Sequence, residues 1–150
     1  MKRYISNITL IIIGFLLSQT GKTAKMELSE YLKPIHTYIG KTFKGEFADS
    51  TTENPTYDIQ YWERALNGNA IKISHSVNNG EYGGESMIMW DAKLGSLVSW
   101  YFTTAGFYTQ ATVIIEDGKL VSHENVTGNQ NGITEVKSIM HLLSNGELYT

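Results

Sequence analysis

The sequence predicts an all-β protein whose antiparallel strands run up and down around a shared interior, as a closed or nearly closed barrel. Two patterns after Lys41 predict this class: turn-forming dipeptides recur along the chain, and the segments between them, about eight to eleven residues each, alternate apolar and polar side chains. The dipeptides are Asn67-Gly68, Asn79-Gly80, Asp117-Gly118, Asn131-Gly132 and Asn145-Gly146, which suit the positive φ angles of tight hairpins. No helical pattern separates the strands, which argues against a parallel sheet.

The first twenty residues have the pattern of a cleavable signal peptide. Lys2 and Arg3 give a positive start, and the apolar run from Ile8 to Leu17 is about ten residues long, short of the roughly twenty that span a bilayer. Ser18 and Thr20 place small residues before a cleavage site at Gly21. We therefore expect residues 1–20 to be removed and the mature chain to be periplasmic or secreted, with no membrane span. An uncleaved N-terminal anchor is the alternative.

Charge limits the kinds of partner that this protein can have, and cysteine content bears on its compartment. The chain carries 12 basic and 15 acidic residues, a net charge of −3, and no basic stripe follows the signal peptide. A nucleic acid or an anionic membrane surface therefore has little electrostatic support as a partner. The sequence contains no cysteine, so the domain must be stable through its core alone, which suits a periplasmic protein better than a small extracellular scaffold.

Residues 21–40 form a short segment ahead of the barrel domain, 41–150. Within it, apolar residues spaced by three and four predict a short helix between Glu27 and Ile39, limited or kinked by Pro34 and ended by Gly40. At the other end, only a few residues follow the last turn, so we expect a barrel that is incomplete at its C-terminus. Either the chain is a fragment, which we favour, or the barrel closes imperfectly.

The junction between this helix and the first strand resembles a known family. The run from Tyr38 to Phe47 (YIGKTFKGEF) is similar to the glycine–aromatic–glycine opening motif of calycin-type barrels, the lipocalin and fatty-acid-binding-protein group, with Phe43 where tryptophan is commoner. From about Leu32 to Thr150 the chain resembles a family of uncharacterised bacterial secreted proteins with a lipocalin-like barrel. The segments that carry this likeness are Tyr61–Gly68, His75–Glu85 and Tyr101–Tyr108. The resemblance implies a lipocalin-like fold and no settled activity.

A cofactor is not expected. The same opening motif occurs in nitrobindin-type haem barrels, whose iron ligand is a histidine near the C-terminal end of the barrel, but no stretch here matches the residues around that ligand. Haem is therefore an analogy of fold only. The three strand histidines, His75, His123 and His141, lie on separate strands without the close pairs that metal sites show, so we expect no metal site.

His75 is the residue with the clearest chemical interest. It shares one strand face with Ile71, Ile73 and Val77 and should therefore point inward. A buried imidazole without a hydrogen-bond partner costs roughly 1–3 kcal/mol, and Glu85, one hairpin further on, is a candidate for that partner. The pair is either a satisfied core contact or part of a ligand-facing or catalytic site.

Aromatic density suggests a pocket, with core packing as the alternative explanation. The residues predicted to bind a ligand are Arg64, His75, Glu85, Trp90, Trp100, Phe102 and Tyr108. The first functional hypothesis is a binding protein for a small hydrophobic or amphipathic molecule, without catalysis. One alternative is an enzyme of the same barrel class that uses His75 with Glu85 or Glu124; another is a structural or interaction module with a packed interior. The sequence leaves the oligomeric state open.

Overall fold

The computed structural model describes residues 27–129 and 131–150, so the predicted signal peptide, residues 1–20, lies outside the described residues. A 3₁₀ helix, Glu30–Tyr38, comes first and is called the N-terminal helix; a short 3₁₀ turn, Leu66–Gly68, follows β2. The strands are β1 (Thr42–Glu46), β2 (Tyr57–Ala65), β3 (Ala70–Val77), β4 (Tyr82–Asp91), β5 (Ser96–Thr103), β6 (Tyr108–Glu116), β7 (Lys119–Thr127), β8 (Glu135–Leu142) and β9 (Leu148–Tyr149).

The strands form one antiparallel up-and-down sheet, curled into a nearly closed barrel. Each strand pairs with the next in the chain, from β1 through to β9. In the part of the chain that the structure describes, β1 and β9 are not hydrogen-bonded neighbours, and β9 is only two residues long. The predicted fold class is thus confirmed.

Turn chemistry explains why consecutive strands pair. At the hairpin between β6 and β7, Asp117 and Gly118 both have positive φ, 49° and 74°, and they alone separate the paired residues Glu116 and Lys119. Two successive positive φ angles give the turn a twist that matches the right-handed twist of the strands. Asn79 and Gly80 take the same left-handed conformation in the hairpin between β3 and β4.

The N-terminal helix closes one end of the barrel. Leu32 and Ile35 on this helix are almost completely buried, and the ring of Tyr31 stacks on Trp90 of β4 with centroids 3.9 Å apart. The helix is irregular: Ile35, directly after Pro34, has non-helical backbone angles, because proline removes a backbone donor and crowds the preceding turn. Gly40, with φ of 76°, lies just beyond its end, as predicted.

The same end holds the packed core. Trp62 has no exposed surface, and Ile71 and Leu97 pack in the same cluster as the buried side of the N-terminal helix. Tyr38 lies between the first strands and the last: its ring is 4.7 Å from Trp62 between centroids, and its hydroxyl accepts a hydrogen bond from the backbone N–H of Leu142 on β8 at 3.1 Å. Apolar packing therefore fills this end of the barrel and leaves the interior of the other end for a cavity.

Candidate functional site

A cavity of about 360 Å³ occupies the half of the barrel away from the N-terminal helix. Its walls come from β2 to β8, and loop residues Phe107, Asn129 and Ile133 line it at the end opposite the helix. The side chains that line it are Asp58, Gln60, Ile73, His75, Tyr82, Ser86, Ile88, Ser99, Tyr101, Phe107, Thr109, Val113, Leu120, Ser122, Glu124, Val126, Asn129, Ile133, Val136, Ser138 and Met140.

Strand alternation selects these side chains. In each strand every second residue points inward, so β3 contributes Ile73 and His75 and β7 contributes Ser122 and Glu124. The result is a wall with many apolar residues that carries two separate groups of polar side chains.

The first group, called the histidine cluster, consists of Asp58, Gln60, His75, Tyr82 and Tyr101. His75 stands at its centre: Nδ1 lies 2.9 Å from Asp58 Oδ1, and Nε2 lies 2.7 Å from the hydroxyl of Tyr101. The Tyr101 and Tyr82 hydroxyls are 2.8 Å apart, and the Gln60 amide donates to Asp58 Oδ2 at 2.9 Å. Asp58 and His75 are each less than a fifth exposed. The cluster therefore fixes His75 through both ring nitrogens.

The acceptors in the histidine cluster determine where the protons of its hydrogen bonds lie. An ionised carboxylate only accepts, so Nδ1 of His75 donates to Asp58. Nε2 then either accepts the Tyr101 proton or, when the ring is fully protonated, donates to the Tyr101 oxygen, with Tyr101 donating onward to Tyr82. Rotation of two tyrosine hydroxyls thus lets the cluster satisfy either protonation state of His75.

The environment shifts two pKa values in this cluster. Burial raises the pKa of Tyr101, and the hydrogen bond to Tyr82 and the charges of Asp58 and Glu124 raise it further, so this side chain stays a neutral hydroxyl. Burial alone would raise the pKa of Asp58, but the hydrogen bonds from His75 and Gln60 and the charge of His75 outweigh it, and the pKa falls below its ordinary 3.8. Asp58 is therefore a carboxylate at neutral pH.

Gly84 leaves the space that the Tyr101 side chain needs to contact His75. Gly84 lies opposite His75 in the pairing of β3 and β4, and a Cβ atom at this position would be 2.6 Å from Cε2 of Tyr101 and in collision with the backbone oxygen of Phe102. The tyrosine ring passes over the bare backbone of β4 to reach His75. A glycine is needed here for space, since its φ is not in the left-handed region.

The second group, called the glutamate cluster, centres on Glu124 of β7. Its Oε1 accepts hydrogen bonds from Ser122 at 3.0 Å and Ser138 at 2.7 Å, and its Oε2 accepts one from Thr109 at 2.7 Å. Two carboxylate oxygens offer about four acceptor positions, and donors from the described residues occupy three of them, one of these on Oε2.

The cavity is rich in acceptors and poor in positive charge. Gln60 Oε1 is buried and accepts no hydrogen bond within the described part of the chain. Among the described residues that line the cavity there are two carboxylates, Asp58 and Glu124, one histidine, and no lysine or arginine. The lining of this cavity therefore carries two carboxylates against one histidine, whereas Arg64 lies at the other end of the barrel.

Of the residues predicted from sequence to bind a ligand, His75 lines this cavity. Arg64 and Trp90 are on inward-facing positions but at the end covered by the N-terminal helix, where Trp90 stacks on Tyr31. Trp100, Phe102 and Tyr108 alternate with the lining residues and face outward; Phe102 is 56% and Tyr108 40% exposed, with ring centroids 6.0 Å apart. The structure therefore does not bring the seven residues together.

Glu85, the candidate partner of His75, is not hydrogen-bonded to it. Glu85 is opposite Ser74, which faces away from the interior, and its carboxylate lies 3.5 Å from the Lys72 ammonium on the outer surface. Asp58 of the preceding strand is the carboxylate partner instead. Sequence reasoning also missed Tyr101, which lies on the same inward face of β5 as Ser99.

Within residues 27–129 and 131–150, no three His, Asp or Glu side chains converge as a metal site would require. Nor does any helix in this part of the chain have the length and hydropathy needed to cross a bilayer.

The structure defines a nearly closed up-and-down β-barrel with an internal cavity, an architecture compatible with lipocalin-like proteins. Comparison of the chain with protein-family models, with curated proteins and with solved structures finds no match.

Proposed function

We propose that this chain is an exported, lipocalin-like binding protein that holds a small amphipathic molecule inside its barrel and performs no catalysis on it. The observation that carries the proposal is the cavity of about 360 Å³, with many apolar residues in its wall and two fixed polar clusters. Ligand pockets in proteins commonly measure about 300–1,000 Å³ and combine apolar walls with a few placed polar groups.

The contrast between the two ends of the barrel supports binding over a packed structural module. The chain has ample large apolar residues and fills the end near Trp62 and Leu32 with them. In the other half, small residues such as Ser86 and Ser99 occupy inward positions where larger side chains would fill the space. A barrel selected only for stability would gain from filling it.

Export remains part of the proposal and rests on the sequence of residues 1–20. A secreted or periplasmic binding protein would meet its ligand outside the cytoplasm, where small amphipathic molecules arrive by diffusion. The bacterial secreted family named above is proposed on the same basis, from the residues that resemble it.

An enzyme is the second candidate, because a carboxylate-oriented histidine inside a cavity is an arrangement that general base catalysis uses. The Asp58–His75 contact fits this pattern. The position that such a base would use is occupied, however, since Nε2 is bound to Tyr101, and the raised pKa of Tyr101 makes its hydroxyl a poor proton donor to a substrate. We therefore favour a ligand-orienting role for this cluster.

Haem is disfavoured as the occupant. Both ring nitrogens of His75 are hydrogen-bonded, which leaves no free nitrogen for iron. The cavity wall described here also carries no lysine or arginine to pair with acidic substituents, and its two carboxylates would oppose them.

The direct experiment is to fill the cavity and measure binding of a neutral, polarity-sensitive naphthylamine dye. Ser99→Phe places a ring inside the cavity, whereas Ser74→Phe places the same ring on the outer face. We expect Ser99→Phe to weaken dye binding by about tenfold or more, and Ser74→Phe to retain wild-type affinity. Equal binding by both variants, or no binding by the wild type, would contradict the proposal. Native mass spectrometry of protein from its own cells should show a non-covalently bound small molecule.

A further inference from the structure

The charged side chains that line the cavity also indicate which charge the polar group of an amphipathic ligand should carry. Fatty acids and other carboxylates are the amphiphiles that a barrel would hold with an arginine or lysine in its interior. In the described lining, the ionisable groups are Asp58, Glu124 and His75, together with the hydroxyls of Tyr82 and Tyr101. With Asp58 bound to His75, the charge left without a basic partner among these groups is that of Glu124.

One carboxylate oxygen in the cavity wall, Oε2 of Glu124, can accept a further hydrogen bond. Glu124 Oε2 receives one hydrogen bond, from Thr109, and has room for another. Oε1 of the same carboxylate is already held by Ser122 and Ser138, so the orientation of the Glu124 side chain is fixed before a ligand arrives. A donor that meets Oε2 therefore needs no rearrangement of the carboxylate.

We propose that the ligand is a small amphipathic cation, with a primary ammonium or a similar group of several N–H donors at its polar end and an apolar body. The inference rests on the proposed function, because it assigns the ligand class of the same cavity. The ammonium donates to Glu124 Oε2, and the apolar body packs against Ile73, Ile88 and Val113. A carboxylate would add like charge beside Glu124 without finding a free cationic partner.

The volume sets the size of suitable probes. A cavity of about 360 Å³ corresponds to about a dozen water-sized volumes of roughly 30 Å³ each, and hence to a ligand with about a dozen non-hydrogen atoms. Decylamine, 1-decanol and decanoic acid match this size and share one apolar body. At pH 7 the amine is protonated and the acid ionised, so the three probes differ chiefly in the charge of the head group.

The experiment measures the dissociation constants of these three probes for the full folded chain by isothermal titration calorimetry below their aggregation concentrations. We expect decylammonium to bind about tenfold or more tightly than decanol, and decanoate to bind most weakly. Glu124→Gln keeps the shape of the side chain and removes its charge; it should weaken decylammonium by about tenfold and leave decanol unchanged. The matched control is Glu63→Gln on the outer face, which should change neither probe, since Glu63 pairs with Lys72 there.

The outcomes separate the two proposals. Decanol binding with no preference for the ammonium, or a preference for decanoate, would overturn the charge assignment while the cavity remains a binding site. No binding of any probe, or of the neutral dye, would overturn both. If Glu124→Gln fails to fold, as thermal melting would show, the order of the three probes on the wild type decides the question alone.

Discussion

At the scale of single residues, Gly84 is the position where one added carbon atom would disturb the histidine cluster most directly. In Gly84→Ala the new Cβ collides with the backbone oxygen of Phe102 and comes within 2.6 Å of the Tyr101 ring. We expect the ring to be displaced from His75 and the free energy of unfolding to fall by about 1–3 kcal/mol, the usual range for overpacking. Urea denaturation measures the loss.

The control for this change is Gly45→Ala on β1. Among the residues that the structure describes, none lies within 4 Å of a Cβ at Gly45, and its φ is not in the left-handed region, so alanine fits without strain. We expect its free energy of unfolding to change by less than about 0.5 kcal/mol or to rise slightly, since alanine restricts the unfolded chain. Similar losses in the two variants would mean that contact with Tyr101 is not the reason that glycine is needed at 84.

Asp58 gives a second residue-scale prediction, through pH. Its pKa is lower in the folded protein than its ordinary 3.8, so the folded state holds the carboxylate ionised where the unfolded chain takes up a proton. The stabilisation is complete above the ordinary pKa and is lost as pH falls through the lower, folded value. We expect the unfolding free energy of the wild type to fall more steeply below about pH 4 than that of Asp58→Asn.

Urea denaturation at a series of pH values between 5 and 2 would measure this slope. Asp49→Asn, in an exposed loop, is the control and should follow the wild type. If Asp58→Asn shows the wild-type slope, the contacts from His75 and Gln60 do not stabilise the ionised carboxylate.

Residue-scale reasoning from sequence correctly placed His75 on the inner face of its strand but missed the neighbours that contact it, for a physical reason. His75 shares its face with three aliphatic residues, so one face of β3 is clearly apolar. On β5 both faces carry large rings, with Trp100 and Phe102 on one and Tyr101 on the other, and alternation cannot say which face is inside. Glu124 shares its strand face with Leu120, Ser122 and Val126. Two of these four residues are polar, so the sequence does not identify this face as interior.

At the scale of elements, the N-terminal helix connects the two ends of the sheet through Tyr38. Its ring packs on Phe43 and Trp62, and its hydroxyl accepts the N–H of Leu142. In Tyr38→Phe this N–H loses its acceptor, so we expect the free energy of unfolding to fall by about 1 kcal/mol. Hydrogen exchange of the Leu142 amide should accelerate more than that of amides in β4.

Tyr31→Phe is the matched control for that change. The Tyr31 ring stacks on Trp90 but is 43% exposed, and phenylalanine keeps the stacking area. Its stability should stay within about 0.5 kcal/mol of the wild type. An unchanged Leu142 exchange rate in Tyr38→Phe would show that the hydroxyl does not hold β8 against the helix.

At the scale of elements, strand register is the property that could be predicted best from the sequence. A turn centred on Asn79-Gly80 puts His75 opposite Gly84 and Ser74 opposite Glu85, which is the observed pairing. The turn centred on Asn67-Gly68 likewise puts Gln60 opposite His75, with Asp58 diagonal to it. Counting residues outward from these two turns therefore predicts that Asp58 lies near His75. The same count places Glu85 beside Ser74 on the outer face. The longer loop between β7 and β8 is not centred on Asn131-Gly132, so counting would have failed there.

At the scale of the whole molecule, the interior of the barrel consists of a packed core at one end and a cavity at the other. The end under the N-terminal helix contains Leu32, Ile35, Trp62 and Ile71, all almost without exposed surface. The other half keeps its space and its polar clusters. A ligand that binds only the folded state would add stability in proportion to its concentration, about 2.7 kcal/mol at a hundred times its dissociation constant.

The last prediction concerns how this barrel opens. In the described chain β1 and β9 do not pair with each other, so each has one unpaired edge, and most of β1 is exposed. The central strands β3 to β5 pair on both sides and contain Ala70, Ile71 and Val98, which are buried. Because local opening begins where buried contacts are few, we expect amide hydrogens of β1, β8 and β9 to exchange first and those of β3 to β5 last. Mass spectrometry of peptides after timed exchange would test the order. Equal protection of β1 and β4 would contradict this order and would mean that the outer edge of β1 is paired in solution.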